Sequence, residues 1–208
     1  MRTKATVIDA MEPVLAHLRA RDPVLGAFIA TVKDRPSFER GRDPFGSLCM
    51  AIVYQQLAGK AAAAIHGRFL DLFPRRQPTP QRLAALHWRS LRAAGLSKQK
   101  RGYLKDLAAK CLDGTLRLRE LSALRDEEVI AELTKVKGIG RWTAEMFLMF
   151  NLGRPDILPL DDLGIVNGMR ALYGKPNATK AELEALADAW RPYRSTGCWY
   201  VWQFKDGR

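Results

Sequence analysis

The chain has 208 residues and is 47% hydrophobic, enough to bury a full core in one or two lobes and too apolar for a disordered protein. Its formal net charge is +12 with a pI near 10.0, which points to a polyanionic partner, nucleic acid or a membrane surface, against plain solubility as the bland reading. Cys49, Cys111 and Cys198 are odd in number and widely spaced, which argues against a disulfide framework or a zinc site; no leader and no bilayer-spanning apolar run is visible, so a soluble intracellular protein is expected.

Residues 1–33 carry helical spacing, with Val14, Leu15 and Leu18 on one face. Asp22-Pro23 reads as an N-cap followed by proline at the first helical position, and Leu25, Phe28, Ile29 and Val32 extend that helix's apolar face. Residues 34–44 are polar and turn-rich and predict a loop. Ser47 can cap a helix running through Tyr54; Leu57-Ala58-Gly59 breaks it, and Lys60 starts an alanine-rich helix. A proline-rich linker follows Pro74, and Thr79-Pro80 repeats the cap-plus-proline pattern. A short helix to Trp88, another to Ala94, and a stop at Gly95 come next. Ser97 opens a longer helix to about Leu112, ended by Asp113-Gly114. Lys98, Lys100 and Arg101 stand at its start, where the dipole disfavours cations; a phosphate nearby would offset that, and a solvated face is the plainer reading.

Residues 126–136 read as an amphipathic helix with Asp126, Glu127 and Glu128 in its first turn. The turn Lys137-Gly138-Ile139-Gly140 follows. Both glycines can take positive φ and let another molecule approach the backbone. A second helix begins near Arg141, so its first amides and the positive end of its dipole form an anion site, with phosphate the obvious anion. A proline-containing loop then leads to Asp161-Asp162 at the mouth of a third helix. Adjacent carboxylates there point in different directions and cannot both serve one atom. Thr179-x-x-Glu182 is a capping box for a helix through Trp190; Pro192 interrupts, and a last helix holds Trp199, Tyr200, Trp202 and Phe204. No segment alternates like a strand, so the fold class is all-α.

The run V-K-G-I-G-R-W-T-A-E, a hydrophobic helix and then L-P-L-D-D-L-G-I together resemble the helix-hairpin-helix/Gly-Pro-Asp superfamily of DNA glycosylases. Q-Q-L-A-G-K-A-A and L-R-A-A-G-L-S-K-Q-K are similar to the alkylpurine branch, the 3-methyladenine DNA glycosylase II enzymes. The resemblance covers roughly Phe45 to Trp202. One departure is Leu158-Pro159-Leu160, with no glycine before the proline. No counterpart of the β-rich N-terminal domain of some longer relatives is expected, and three scattered cysteines cannot ligate the four-cysteine iron–sulfur cluster of others. The fold implied is two helical lobes with the hairpin beside the cleft between them: residues 1–44 with about 155–208 in one, about 45–154 in the other, and the hairpin at 126–152.

The activity implied is hydrolysis of the N-glycosidic bond of an alkylated purine, of the 3-methyladenine or 7-methylguanine class, after base flipping in double-stranded DNA. No cofactor is called for, and a monomer is expected, in the cytoplasm or nucleoid of a bacterium or the nucleus of a eukaryote. The resemblance places the catalytic carboxylate on Asp162 rather than Asp161, whose other readings are helix cap or ion pair. Trp142, directly after the hairpin, offers an aromatic face to a cationic base, Tyr193 matches a base-pocket aromatic of relatives, and Met146 stands where some relatives carry an aromatic; the plainer reading of the two aromatics is core. Gln56 and Leu57 are candidates for the side chain that fills the gap left by an extruded base, with Gln55 capping the helix end and Leu57 as core the alternatives. Gln55, Lys60, Lys137, Gly138, Ile139, Gly140 and Thr143 complete the expected DNA contacts. Relatives also hold a monovalent cation on hairpin carbonyls; no metal ligand is assigned here. Bifunctional members place a lysine where Trp142 stands, so a monofunctional enzyme is implied. A non-catalytic helix-hairpin-helix DNA-binding protein, or a glycosylase for deaminated or oxidised bases, are the alternatives.

Overall fold

The computed structural model describes residues 4–38, 41, 43–57 and 59–207, with side chains from residue 11 onward; Ala58, in the predicted helix break, lies outside them. Every regular element among these residues is helical. The chain falls into two compact units, Met1–Glu39 with Gly153–Arg208, and Arg40–Leu152. No helix among the described residues is long and apolar enough to cross a membrane.

The first unit begins with α1 (Lys4–Arg21) and α2 (Pro23–Ile29). Asp22 caps α2, accepting the Val24 and Leu25 amides at 3.0 Å each, with Pro23 at the first helical position. Its other oxygen is buried and accepts from the Trp190 indole at 2.7 Å and from the Tyr173 hydroxyl. One carboxylate therefore joins residues far apart in the chain. Burial, with the Asp22 charge beside it, pushes the Tyr173 hydroxyl well above its ordinary pKa. The unit continues with α10 (Leu163–Leu172), α11 (Lys180–Ala187) and α12 (Arg194–Lys205). The Thr179–Glu182 capping box is present, but α11 stops at Ala187 and a 3₁₀ turn, Asp188–Trp190, finishes the predicted segment. Leu15, Leu18, Leu25, Ile165, Met169 and Val201 are fully buried in its core.

The second unit holds α3 (Pro44–Tyr54), α4 (Gly59–Leu70), α5 (Pro80–Ala85), α6 (Trp88–Ala93), α7 (Lys98–Leu112), α8 (Asp126–Thr134) and α9 (Arg141–Phe150). The predicted caps at Thr79 and Ser97 are in place, accepting the Arg82 and Lys100 amides. The cap of α3 differs from expectation. Asp43 accepts the Gly46 amide at 2.8 Å, while Ser47 sits inside the helix and donates back to the Asp43 carbonyl. An Asp followed by Pro at the first helical position competes better for the helix start than a serine one turn later.

Candidate nucleic-acid interface and active site

In the second unit α8 and α9 form the hairpin, and three long-range contacts hold its turn. Gly138 has φ +83°, and a Cβ there would lie 2.1 Å from the Tyr103 ring, so only glycine fits. Its carbonyl accepts from the Gln55 side chain at 2.7 Å. The Lys137 amide donates to Asp106 at 2.8 Å, and Lys110 donates to the same carboxylate at 2.9 Å. Desolvation would raise the Asp106 carboxyl; the Lys137 amide and the Lys110 ammonium outweigh it and hold the group below its usual range.

Gly140 does not take the predicted positive φ: it is the extended N-cap of α9, at φ −94° and ψ 176°. A Cβ on Gly140 would meet nothing within 4 Å, so the backbone at this helix start stands open. No side chain caps it, and the first amides of α9 keep the polarity that suits a phosphate. Arg141 adds less charge than its position suggests. It pairs with Glu127 and with Glu145, the former twice at 2.5 and 3.0 Å. That guanidinium in turn holds the Glu127 carboxyl below its usual range. Lys137 is exposed beside these uncapped amides. Thr143 departs from expectation: its side chain is buried against the unit's core, at 6% exposure, leaving only its first-turn amide.

The helix break after α3 lies against this turn. Gln55 is the C-cap of α3, and its side chain is committed to the hairpin rather than to solvent. Gln56 has φ +56°, unfavourable for a residue with a Cβ. Leu57 is 37% exposed, not core, and Lys60 is exposed in the first turn of α4. Lys100, one of the cations at the start of α7, takes neither predicted role. It donates to the Val53 carbonyl at 2.7 Å, closing the C-terminal end of α3, and burial lowers its pKa. Gln55, Gln56, Leu57, Gln99, Tyr103 and Gly138 line one groove of about 270 Å³. The two stretches quoted for the resemblance, 83 residues apart at Gln55 and Gly138, therefore form one surface.

Trp142 is 42% exposed in the first turn of α9, and Met146, one turn on, is half-buried. Carbonyl oxygens like those of the hairpin suit a hard cation. The Val136 carbonyl already accepts the Ile139 amide, and that of Gly138 accepts Gln55. No group of three or more metal-ligating side chains occurs among the described residues.

In the first unit, Asp162 is the N-cap of α10. Its backbone amide donates to the Pro159 carbonyl, so the loop turns tightly there without a glycine before the proline. Upstream, Asp156 pairs with Arg194 at 2.8 Å and Ser195 bonds both the Arg154 carbonyl and the Ile157 amide, fixing the loop to α12. Asp162 Oδ1 accepts the Ile165 amide at 2.9 Å and the Trp202 indole N–H at 3.2 Å. Gly164 has a steric role: a Cβ there would lie 2.8 Å from Asp162 Oδ1 and 3.2 Å from the Trp202 ring. Asp161 is exposed and pairs with Lys180, one of its two alternative readings. Tyr193, at the start of α12, is half-buried with its ring edge-on to His17 at 5.3 Å. Trp202 was legible only as one of several aromatics on the last helix; its indole N–H aimed at Asp162, 40 residues earlier, is visible only in three dimensions.

The glycine turn between α8 and α9, with its open helix start, makes this a helix-hairpin-helix protein. The sequence profile of the HhH-GPD superfamily of base excision DNA repair proteins matches residues 49–192, and the chain belongs to that family. It is 34% identical over 206 residues to DNA-3-methyladenine glycosylase 1 of Schizosaccharomyces pombe, covering 96% of this chain and 90% of that one. Among solved structures it is similar to the S. pombe 3-methyladenine DNA glycosylase Mag1 in complex with abasic DNA, with TM-score 0.79, 35% identity and coverage of 92% and 95%. It is also similar to the DNA-3-methyladenine glycosidase of Bacillus halodurans, with TM-score 0.82, 38% identity and coverage of 93% and 89%.

Proposed function

We propose that this protein is a DNA glycosylase that hydrolyses the N-glycosidic bond of alkylated purines without cutting the strand. The observation that carries the reading is Asp162, half-buried at a helix start and oriented by two N–H donors on one oxygen. Cleavage of the glycosidic bond passes through an oxocarbenium-like state with positive charge at C1′. A carboxylate held in place beside that carbon lowers the barrier, because it needs no reorientation as charge develops. It can also take a proton from the attacking water.

Purines alkylated at N3 or N7 carry positive charge on the base and leave as neutral molecules, so one carboxylate suffices and no acid is required. Trp142 and Tyr193 are proposed as electron-rich walls for that cationic ring. Leu57, exposed on a loop fixed to the hairpin, is proposed to fill the space of the flipped nucleotide, with Gln56 beside it. The amides at the start of α9, with Lys137, are proposed to hold a phosphate. Two relatives at 34% and 38% identity are named DNA-3-methyladenine glycosylase and DNA-3-methyladenine glycosidase, which supports this lesion class.

The test is release of bases from methylated duplex DNA, identified by chromatography, by the protein and by Asp162→Asn. The variant should lose base release by roughly a hundredfold or more and keep its DNA affinity. Base release at the native rate from the variant would remove Asp162 from the mechanism. Trapping of a protein–DNA adduct by borohydride would show a Schiff base and contradict hydrolysis without incision.

A further inference from the structure

Between Asp71 and Asp106 the chain has no acidic residue and nine Lys or Arg. On this stretch α6 and α7 enclose a groove of about 470 Å³, apart from the one containing Gln55 and Gly138. Its walls are Trp88, Leu91 and the stems of Lys98 and Arg101, and Gly102 lies among them. Trp88 is 49% exposed. Arg89 and Arg101 lie over its ring, at 5.6 and 5.7 Å from the centroid. None of the described ion pairs involves Arg89, Lys98 or Arg101.

Gly102 is the second, independent sign. It stands inside α7, where glycine costs about 1 kcal/mol relative to alanine. Nothing in the fold demands it, since a Cβ there would meet no atom within 4 Å. Its effect is to keep the space between Trp88 and α7 clear. An apolar slot kept open at a cost, with cations on its rim that have no ion-pair partner among the described residues, is complementary to a ligand that brings both an apolar group and negative charge.

We propose that this groove docks a short acidic segment of a partner protein, one large apolar side chain of which inserts over Gly102 against Trp88 and Leu91. DNA fits the slot less well. It brings phosphates but no apolar side chain to fill the space over Gly102.

The test uses the full chain and a fluorescein-labelled peptide of about 12 residues, Asp and Glu around one central Phe, read by fluorescence anisotropy; the expected affinity is roughly micromolar. Replacing the Phe by Ala, or the protein's Trp88 by Ala, should weaken binding about tenfold or more. Gly102→Leu fills the slot and should do the same, with a melting temperature no lower than the native one. All variants should bind undamaged duplex DNA as the native chain does. Equal binding of the Phe and Ala peptides, or native peptide affinity in Gly102→Leu, would overturn the proposal. So would a parallel loss of duplex affinity in Gly102→Leu, which would give the groove to DNA.

Discussion

At the scale of single residues, the carboxylate of Asp162 is positioned from two directions. The Ile165 amide belongs to its own helix, and such caps are formed by local chain geometry. The Trp202 indole comes from α12 and reaches it only because Gly164 leaves space between them. On the function proposed for Asp162, Trp202 is a positioning residue whose indole N–H acts through that carboxylate. Trp202→Phe keeps the ring volume and removes the donor. A hydrogen bond to a charged group contributes about 1.5–3 kcal/mol, so base release should fall about tenfold or more. DNA affinity should be unchanged, as measured in single-turnover assays beside binding titrations. The neighbouring Asp161 pairs with Lys180 on the surface, where such pairs contribute less than about 1 kcal/mol. Asp161→Asn should therefore leave both activity and stability near native.

At the scale of elements, the hairpin is held by its neighbours as much as by its own glycines. α3 supplies Gln55, and α7 supplies Tyr103 and Asp106. Lys100 ties α7 back to the end of α3. The turn that presents the α9 amides and the loop that presents Leu57 are thus braced by one set of contacts. Gly138→Ala forces a positive φ on a residue with a Cβ and drives that Cβ into Tyr103. The loss should be at least about 2 kcal/mol, or about 4 °C or more in melting temperature for a chain of this size. Because the turn moves, DNA affinity should fall as well. Gly140→Ala is the control: its φ is negative and its Cβ space is empty, so stability should stay near native. Any affinity lost there reports on how closely a phosphate approaches.

At the scale of the whole molecule, the net charge of +12 has a consequence for association that does not depend on the details of the pocket. Phosphate contacts release counterions, so affinity falls linearly in log–log terms with salt. With a few such contacts, duplex affinity should drop on the order of ten- to hundredfold between about 50 and 200 mM salt. Lesion-containing and undamaged duplex should share nearly the same slope. Titrations at several salt concentrations check this. The prediction fails if the slope is near zero, which would mean that the basic surface serves solubility alone.

What the amino-acid order determined by itself is whatever is settled within a few residues. The helical periods, the caps at Asp22, Thr79, Ser97 and Thr179, the glycine turn at residues 137–140 and the Asp at the mouth of α10 are short-range features. They were legible because capping and helix patterning are energetics of neighbouring backbone groups. Even at that range competition blurred detail, as when Asp43 displaced Ser47 as the cap of α3 and α11 ended at Ala187. Only the tertiary structure decided that Gln55 grips Gly138, that Asp106 holds the Lys137 amide, that Thr143 turns inward and that Trp202 steadies Asp162. Those partners lie 31 to 83 residues apart where a bond joins them, and nothing in local propensity ranks one distant donor above another. Packing of α3, α7 and the hairpin chose one set, and of α10 and α12 the other, because buried polar groups must find partners where the fold leaves them.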